Sequence, residues 1–266
     1  MKLGMYNERA VVINDDSLQL INGVKDIQSL LPHLNERLFL SSKRNLPDMA
    51  DFSAPVSASK QIFAVGFNYR DHMNELKTQA PKVPNIFTKF VSSITGPNPT
   101  VKVPSPQTDW ETELVIVIGQ GGRNISQDKA LNHIAGYMVG QDLSDRQLQF
   151  ENDQPQFSLA KSYENFSPIG PWLTTPDEID DLGKLTITTE LNGAEKQHSQ
   201  LGNLIFDPQK LVSYLSAITE LFPGDLIFTG TPGGVGAGRN PKEFIKPGDQ
   251  LISKIDQLGQ LTINFN

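Results

Sequence analysis

The segment DWETELVIVIG, residues 109–119, constrains the fold of this chain more than any other stretch. Side chains of a β-strand alternate between two faces, so Val115 and Val117 share one face while Ile116 and Ile118 share the other. An apolar run on both faces is typical of a strand that is covered on both sides. We therefore predict that this strand lies between two packing layers.

The same segment begins with acidic side chains on the valine face. Asp109, Glu111 and Glu113 precede Val115 in steps of two residues. Like charges held together on a partly buried face repel one another and are costly to desolvate. Water, basic partners or a bound cation could offset this cost, and the pattern by itself leaves all three explanations open.

Size and composition narrow the functional classes. A chain of 266 residues fits one large domain, or one domain with a small appendage. Its net charge of −7 argues against nucleic-acid and anionic-membrane partners. The absence of cysteine excludes disulfides, a thiol nucleophile and thiolate metal sites. No apolar run reaches the length of a membrane span and the first residues lack a secretion-signal core, so we expect a cytoplasmic protein without a membrane partner.

The spacing of Pro, Ser and Ala suggests two parts of unequal size. Segment 45–59 is rich in these residues and lacks a clear periodicity, which is typical of a linker. We therefore predict a small N-terminal domain with its linker over residues 1–56 and a main body over residues 57–266.

The sequence pattern of the main body predicts an α+β, strand-rich fold. Asn192-Gly193 is a strong hairpin signal, and residues 207–221 have the pattern of an amphipathic helix. A second helix is predicted over residues 126–137, with Ser126 as its N-cap. The regular alternation of strands and helices that defines a doubly wound fold is missing.

Three carboxylates are candidate metal ligands. Asp142 follows an apolar strand in GYMVGQDLSD and could join Glu111 and Glu113. Ligands that offer only oxygen suit a hard cation such as Mg²⁺, Mn²⁺ or Ca²⁺. The alternative is that these acids lie at solvated strand ends.

Several other polar residues have the types that acid–base and oxyanion chemistry uses. His72 and Glu75 are three residues apart, so on a helix the carboxylate would orient the imidazole as a general base. Arg146, Gln149 and Lys161 could bind a substrate carboxylate or stabilise an oxyanion. Taken alone, each of these residues is better explained by an ordinary surface position.

The loop TGTPGGVGAG, residues 229–238, is not a phosphate-binding loop. It lacks the Gly-Lys-Ser/Thr of a Walker motif, and no helix opens after its glycines as a dinucleotide fingerprint requires. A tight loop between strands is the favoured interpretation, and Thr231 could still face a pocket.

Five sequence blocks, in order, resemble the fumarylacetoacetate hydrolase family over roughly residues 61–265. They are GFNYRDHMNE, DWETELVIVIG, GYMVGQDLSDRQLQ, LAKSYENFSPIGP and PGDLIFTGTPGGVG. The resemblance implies a mixed β-roll or β-sandwich catalytic domain, commonly dimeric, behind a small N-terminal domain. We therefore expect a homodimer whose catalytic domain covers residues 57–266.

The resemblance also assigns roles to the candidate residues. It implies that a divalent cation, usually Mg²⁺ or Mn²⁺, occupies the carboxylate cluster, with Ca²⁺ as a further oxygen-ligated candidate. A dyad would activate water, and the remaining polar residues would contact substrate or the developing oxyanion. The metal ligands would be Glu111, Glu113 and Asp142, the catalytic residues His72, Glu75 and Lys161, and the substrate-binding residues Arg146, Gln149 and Thr231.

Two blocks depart from the family pattern. The usual Ser-Ala-Arg-Asp is Ser144-Asp145-Arg146-Gln147 here, and the usual Lys-Gly/Ser-Phe-Asp is Lys161-Ser162-Tyr163-Glu164. The arginine and the lysine are retained, so these departures bear on substrate identity more than on the metal site.

The leading functional hypothesis is hydrolysis of a C–C bond in an acylpyruvate-like β-diketo acid. The cation would act as a Lewis acid and hold the enolate leaving group, while His72 and Glu75 activate water. The same chemistry serves oxaloacetate decarboxylation, or isomerisation and tautomerisation of 2-oxo-diacids such as 2-hydroxyhepta-2,4-diene-1,7-dioate. A sugar-derived diketo acid is another possible substrate, and a catalytically silent binding protein is the alternative from a different class.

Overall fold

The computed structural model describes residues 1–14, 16–71 and 79–266. Their backbone is dominated by strands in mixed sheets, which confirms the predicted α+β, strand-rich class. In chain order the strands are β1 (Lys2–Tyr6), β2 (Arg9–Asn14), β3 (Ser17–Leu20), β4 (Arg44–Asn45), β5 (Phe52–Ser53), β6 (Ile62–Gly66), β7 (Asn85–Thr88), β8 (Ile94–Thr95), β9 (Thr100–Val101), β10 (Thr108–Asp109), β11 (Thr112–Ile118), β12 (Ile134–Gln141), β13 (Ser144–Asp145), β14 (Ser167–Thr174), β15 (Thr186–Leu191), β16 (Ala194–Gln200), β17 (Leu226–Phe228), β18 (Gln250–Ile255) and β19 (Gly259–Phe265).

The helices of the described residues are short apart from one. The α-helices are α1 (Ile27–Leu30), α2 (Arg146–Gln149), α3 (Phe157–Ala160) and α4 (Pro208–Ile218). Single 3₁₀ turns or short 3₁₀ runs occur at Leu31–His33, Met49–Asp51, Val91–Ser93, Gln127–His133, Pro176–Glu178, Leu182–Lys184, Leu201–Asn203 and Gly236–Gly238. None of these helices is both long and apolar enough to cross a membrane.

A twelve-stranded sheet forms the centre of the described structure. Its main path runs β4-β3-β2-β1-β14-β12-β11-β17-β6-β7, with β5 paired to β1 and β8 paired to β14. Strand β1 pairs with β14, so strands from the first 56 residues continue the same sheet as the body. The domain boundary at residue 56 stays a prediction.

Strand β11 lies inside this sheet, between β12 and β17. All of its seven residues are buried. Ile116 and Ile118 pack into one apolar cluster, and Val115 and Val117 pack into another. The predicted strand between two packing layers is therefore confirmed, and its alternation places the acidic and hydroxyl side chains at its start on defined faces.

A five-stranded sheet, in the order β16-β15-β18-β19-β9, packs on the isoleucine face of β11. Its first hairpin turns at Asn192 and Gly193, whose φ angles of 53° and 77° are the positive values that an Asn-Gly turn provides. The hairpin predicted at this dipeptide is confirmed.

The two helix predictions have different outcomes. Helix α4 is present, and the Asp207 carboxylate caps it by accepting from the Lys210 N–H at 2.8 Å. The helix predicted over residues 126–137 is wrong: Gln127–His133 is 3₁₀, Ser126 makes no side-chain capping bond, and β12 begins at Ile134. The apolar run that follows His133 is buried more completely by pairing with β11 and β14 than one helix face would allow.

Candidate active site

The three predicted metal ligands come together where β11 begins and β12 ends. Glu111 precedes β11, Glu113 is its second residue, and Asp142 follows the last residue of β12. The antiparallel pairing continues past the strand ends, because the Asp142 N–H donates to the Glu111 carbonyl at 2.9 Å. One carboxylate oxygen from each residue lies within 4.8 Å of the others. Glu113 and Asp142 are buried, and Glu111 is partly exposed.

Lys161 links two of these carboxylates. Its Nζ donates to Glu111 Oε2 and to Asp142 Oδ2, both at 2.7 Å, and to Ser144 Oγ at 2.7 Å. The lysine follows α3 directly, and its side chain is 2% exposed. All three ammonium protons have an acceptor, so the position of the ammonium group is fixed.

Arg146 supplies the second cation. Its guanidinium donates to Glu111 Oε1 at 2.5 Å, to Asp109 Oδ2 at 2.9 Å and to Gln149 Oε1 at 2.9 Å. Asp145 starts helix α2 by accepting the N–H of Gln147 at 3.0 Å. The short helix therefore presents Arg146 and Gln149, which are three residues apart, on the same face.

The two departures from the family pattern meet in space. Asp145 and Tyr163 come from the two departing blocks, and the Tyr163 hydroxyl donates to Asp145 Oδ2 at 3.2 Å. Ser105 Oγ donates to the other oxygen of the same carboxylate at 2.6 Å. Asp145 and Tyr163 therefore support each other beside Arg146 and Lys161, and no hydrogen bond within the described part of the chain joins either side chain to the three acids.

Lys89 is a site residue that sequence reasoning missed. It follows β7, its side chain is fully buried, and its ammonium group donates to Asp142 Oδ1, to the Lys161 carbonyl and, at 3.3 Å, to the Phe166 carbonyl. Lys89 is 53 residues from Asp142 in sequence. The one available signal was a lysine that interrupts the apolar run IFTKF, because a charged residue is rarely buried without a partner.

The surroundings give the carboxylates different proton affinities. Burial opposes ionisation of Glu111, but the charges of Lys161 and Arg146 outweigh it and hold its pKa at about 2. Burial, and then the charges of Asp142 and Glu111, raise the pKa of Glu113 well above its usual range. Among the described residues no lysine or arginine forms an ion pair with Glu113, which accepts from the Gly230 N–H at 2.7 Å.

The buried lysines also differ. Burial lowers the pKa of Lys89, despite its contact with Asp142. Burial acts in the same direction on Lys161, but the charges of Asp142 and Glu111 outweigh it and raise the pKa of this group. Basic partners thus offset part of the charge on the acidic cluster, and Glu113 remains the least compensated member.

This donor set fits a hard divalent cation. The ligand atoms are carboxylate oxygens, without sulfur or imidazole, which is the chemistry that Mg²⁺, Mn²⁺ and Ca²⁺ prefer. A cation within reach of all three acids would also compensate the charge of Glu113, which the described side chains leave without an ionic partner.

A cavity of about 290 Å³ adjoins the cluster. The predicted residues Glu111, Arg146, Gln149, Lys161 and Thr231 line one part of it. Apolar side chains form much of the remainder, including Val65, Phe67, Phe87, Phe150, Phe157 and Val235. Lys242 also lines the cavity and is solvent-exposed.

The glycine loop that follows β17 closes one side of the cavity. Thr231 Oγ1 donates to the Thr112 carbonyl at 2.8 Å. The Asp109 carboxylate accepts the N–H groups of Gly236 at 2.6 Å and Ala237 at 3.0 Å. The first acid of the DWETE segment therefore holds the loop and Arg146, and it is not one of the three clustered acids.

The predicted dyad lies outside the described residues. His72 and Glu75 fall in the segment 72–78, so their placement relative to the acidic cluster stays a prediction.

Comparisons with known proteins identify the family and agree with the fold. Residues 61–266 match the family model described as fumarylacetoacetate (FAA) hydrolase C-terminal. An oxaloacetate tautomerase fahd2, mitochondrial, from Xenopus laevis is 37% identical over 242 residues, which cover 90% of this chain and 75% of that protein. A 2,4-didehydro-3-deoxy-L-rhamnonate hydrolase from Sphingomonas sp. (strain SKA58) is 37% identical over 246 residues, which cover 89% and 86%.

Two solved structures extend the comparison. A Mycobacterium smegmatis protein of the HpcE type has 45% identity and a TM-score of 0.93, with 100% of this chain and 99% of that chain covered. Maleylpyruvate hydrolase from Sphingobium sp. SYK-6, solved with manganese(II) ion and pyruvate, has 24% identity and a TM-score of 0.82, with 100% and 98% covered. The second likeness shows a shared fold alone.

The chain belongs to the fumarylacetoacetate hydrolase family. It is an enzyme of that family, as the resemblance of its five sequence blocks implied.

Proposed function

We propose that this enzyme is a divalent-metal-dependent hydrolase that cleaves a C–C bond in an acylpyruvate-like β-diketo acid. One observation carries the proposal: Glu111 lines a cavity with many apolar side chains, and its carboxylate lies within 4.8 Å of those of the buried Glu113 and Asp142. The polar end suits a 2-oxo acid, and the apolar end suits an acyl group.

Glu111, Glu113 and Asp142 would hold the cation, which supplies Lewis acidity toward carbonyl oxygens when it is bound. Mg²⁺ or Mn²⁺ is the proposed ion, and Ca²⁺ is a further candidate for the same oxygen ligands. Lys161 and Lys89 orient Asp142 through its two carboxylate oxygens, so this ligand keeps one rotamer.

Lys161 and Arg146 would stabilise negative charge that develops on the substrate. Both cations are held by carboxylates before substrate arrives, so little reorganisation is needed when the charge appears. Gln149 and Thr231 line the same cavity. The amide nitrogen of Gln149 offers a further donor for a substrate carboxylate. Thr231, whose hydroxyl proton is donated to the Thr112 carbonyl, would shape the pocket wall.

His72 and Glu75 are proposed to activate the attacking water. The imidazole would accept the proton from water while Glu75 orients the ring. A protein base is chemically useful here because Mg²⁺ alone is a weak generator of hydroxide.

The test follows the enol absorbance of acetylpyruvate with Mg²⁺ or Mn²⁺, and again with EDTA. We expect metal-dependent loss that yields acetate and pyruvate in equal amounts. Metallated protein that leaves acetylpyruvate intact, and also longer acylpyruvates, would refute the hydrolase assignment.

A second candidate is tautomerisation of a 2-oxo-diacid such as oxaloacetate, with isomerisation or decarboxylation of such acids as related activities. Lys242 favours it: this cation lines the apolar cavity and makes no hydrogen bond or ion pair with the residues that the structure describes. A distal carboxylate on the substrate would pair with it. The Xenopus laevis relative, named as an oxaloacetate tautomerase, supports the same candidate.

The Lys242→Met variant separates the two candidates. For a diacid substrate we expect KM to rise about fivefold with kcat unchanged, the size of one exposed ion pair. Acetylpyruvate turnover should not change, and the exposed Lys246→Met serves as the matched control. Oxaloacetate is assayed by NMR for enol–keto exchange and for loss of CO₂, which distinguishes tautomerase from decarboxylase.

The remaining expectations are also proposals. We propose a homodimer, which sedimentation equilibrium would test, and a cytoplasmic location, which fractionation of the source cells would test. The only partner proposed besides a second copy is the small 2-oxo or β-diketo acid substrate.

A further inference from the structure

One edge of β11 changes its partner just before the acidic cluster. Strand β17 pairs with Val115 to Val117, and the last backbone bond on this edge runs from the Thr229 N–H to the Leu114 carbonyl at 3.0 Å. Backbone groups two residues apart on a strand point to the same edge. Thr112 therefore presents its N–H and carbonyl to the edge that β17 has left.

Side chains supply the hydrogen bonds that the backbone of Thr112 would otherwise make to a neighbouring strand. The Thr112 N–H donates to Gln197 Oε1 at 3.2 Å, and its carbonyl accepts from Thr231 Oγ1 at 2.8 Å. A buried backbone polar group without a partner is costly, so these two bonds replace those of the departed strand.

The side-chain amide of Gln197 forms hydrogen bonds at all of its donor and acceptor positions. Its Oε1 accepts from Thr112 and, at 2.7 Å, from the Thr189 hydroxyl. Its Nε2 donates to Thr231 Oγ1 at 2.8 Å and to the Pro232 carbonyl at 2.9 Å. A glutamine amide has two acceptor and two donor positions, and all four are occupied.

The orientation of the amide follows from its neighbours. Only the amide nitrogen can donate to the Pro232 carbonyl, and only the oxygen can accept from the Thr112 N–H. The side chain is 1% exposed, so water cannot readily replace either bond. Gln197 thus joins β16 of the five-stranded sheet both to β11 and to the glycine loop that follows β17.

Thr112 is the residue between Glu111 and Glu113. The peptide groups on either side of Thr112 are bonded to the Cα atoms of Glu111 and Glu113. A rotation of these peptide groups would therefore reorient both carboxylate side chains. Whatever fixes the backbone of Thr112 therefore fixes the spacing of two of the three acids.

We propose that Gln197 is a positioning residue for the metal site and for Thr231. It would hold the Thr112 backbone and the glycine loop in one arrangement, and so set the affinity of the three carboxylates for a divalent cation. The inference rests on the proposed metal-dependent function, but its primary measurement is binding of the metal alone.

The main test compares Gln197→Met with the unsubstituted protein by calorimetric titration with Mn²⁺. Loss of a residue that supports metal ligands typically weakens binding or activity 10–100-fold. We expect the Kd for Mn²⁺ to rise at least about tenfold.

The matched control is Leu20→Ala. Leu20 lies in β3, in an apolar cluster separate from those that contain β11. This variant lowers overall stability by cavity formation without touching the site, so it should bind Mn²⁺ with unchanged affinity. Equal loss of affinity in both variants would show a general stability effect and overturn the inference.

A second pair of variants covers the case in which Gln197→Met fails to fold. Thr231→Val removes the hydroxyl that bridges Gln197 and the Thr112 carbonyl, and Thr231→Ser keeps it. We expect weaker Mn²⁺ binding by the valine variant and recovery by the serine variant. Unchanged Mn²⁺ affinity in Thr231→Val, or in folded Gln197→Met, would overturn the positioning role.

Failure of the proposed function can be distinguished from failure of the Gln197 proposal, because it is seen in the unsubstituted protein. If the unsubstituted protein itself binds no Mn²⁺ or Mg²⁺, the metal site is wrong and the positioning role falls with it. If it binds metal but cleaves no acylpyruvate, the substrate proposal is wrong, and the comparison of Mn²⁺ affinities still decides the role of Gln197.

Discussion

Glu111 and Glu113 are two residues apart on one strand, yet their surroundings favour opposite protonation states. Glu111 receives Lys161 and Arg146, which keep its carboxyl ionised. Glu113 is buried beside two other acids, and its pKa is raised. The site thus holds one carboxylate whose charge is stabilised by the protein and one whose charge is stabilised best by an added cation.

This difference predicts opposite effects of neutral substitutions in metal-free protein. Glu113→Gln removes a carboxyl that is disfavoured as an anion by burial and by the charges of Asp142 and Glu111, and it retains an acceptor for the Gly230 N–H. Folding then no longer requires proton uptake at this position at neutral pH, so we expect Tm to rise by about 2–4 °C. Glu111→Gln leaves two buried cations short of a counter-charge and should lower Tm, since breaking a buried ion pair costs about 3–5 kcal/mol.

Thermal unfolding with EDTA and with saturating Mn²⁺ checks the prediction. Mn²⁺ should raise the Tm of the unsubstituted protein, because a ligand that binds only the folded state stabilises it, and should have little effect on Glu113→Gln. If Glu113→Gln destabilises the metal-free protein, the argument from the raised pKa of Glu113 is wrong.

The proposed base makes a separate prediction. His72→Ala should lower hydrolytic turnover by about 10²–10⁴-fold, the usual contribution of general base catalysis. Mn²⁺ affinity should persist, because His72 is not among the proposed ligands. The exposed His198, which pairs with Glu195 at 2.9 Å, supplies a control in His198→Ala. Normal turnover in His72→Ala would remove this residue from the mechanism.

At the residue scale, sequence reasoning found groups that carry a local signal. Glu111, Glu113 and Asp142 stand beside apolar strands, and Arg146, Gln149 and Lys161 are potential donors that lie near Asp142 in sequence. The signal of Lys89, a lysine within an apolar run, does not identify its partners, because the packing of β7 against the loop that follows α3 brings them to it. Gln197 was missed for the same reason: its four contacts come from three separate segments.

At the scale of elements, the pairing of β11 with β12 sets the geometry of the site. Glu113 is opposite Gly140 in the register. A Cβ added at Gly140 would collide with Val115 and would lie 2.9 Å from the ring of Phe228. The glycine therefore allows β11, β12 and β17 to approach closely beside the acids.

Gly140→Ala should weaken both the fold and the metal site. Overpacking of a buried position typically costs 1–3 kcal/mol, and the strain would displace β11 near Glu113. We expect a lower urea midpoint and weaker Mn²⁺ binding by calorimetry. Gly183→Ala is the control, since its nearest neighbour would be 3.4 Å away, an ordinary contact. Wild-type Mn²⁺ affinity in Gly140→Ala would contradict the link between strand spacing and the site.

Element predictions succeeded where one pattern dominated. The period-two alternation of β11 and the Asn192-Gly193 turn each specify one structure. The run from Ser126 to Tyr137 does not, because its residues fit a helix locally while its second half is buried on both faces by neighbouring strands. Tertiary burial decided that case, and a single sequence does not display it.

At the scale of the whole molecule, the first 56 residues contribute strands to the central sheet. Leu3 and Ile27 are completely buried, and β1 covers the edge of β14. Removal of this segment would expose an apolar face and an unpaired strand edge.

A truncated chain of residues 57–266 tests how independent the two predicted domains are. We expect it to aggregate or to lose its cooperative thermal transition, because the sheet is continuous across the predicted boundary. The full chain, nicked by protease between residues 56 and 61, is the control, since it retains both parts. A truncated chain that is monodisperse and binds Mn²⁺ normally would support two independent folding units.

The cavity wall is built from strands and from loops, which differ in their tolerance to amino-acid substitution. The acids lie at the ends of β11 and β12, whose side chains belong to two apolar clusters, so most substitutions in these strands disturb packing on both sides. Phe67, Phe150 and Lys242 follow or lie between regular elements at the same cavity. Exchanging these loop residues would alter which substrate fits while the acids remain in place. The architecture is therefore evolvable: one reaction centre can serve new substrates through a few loop substitutions.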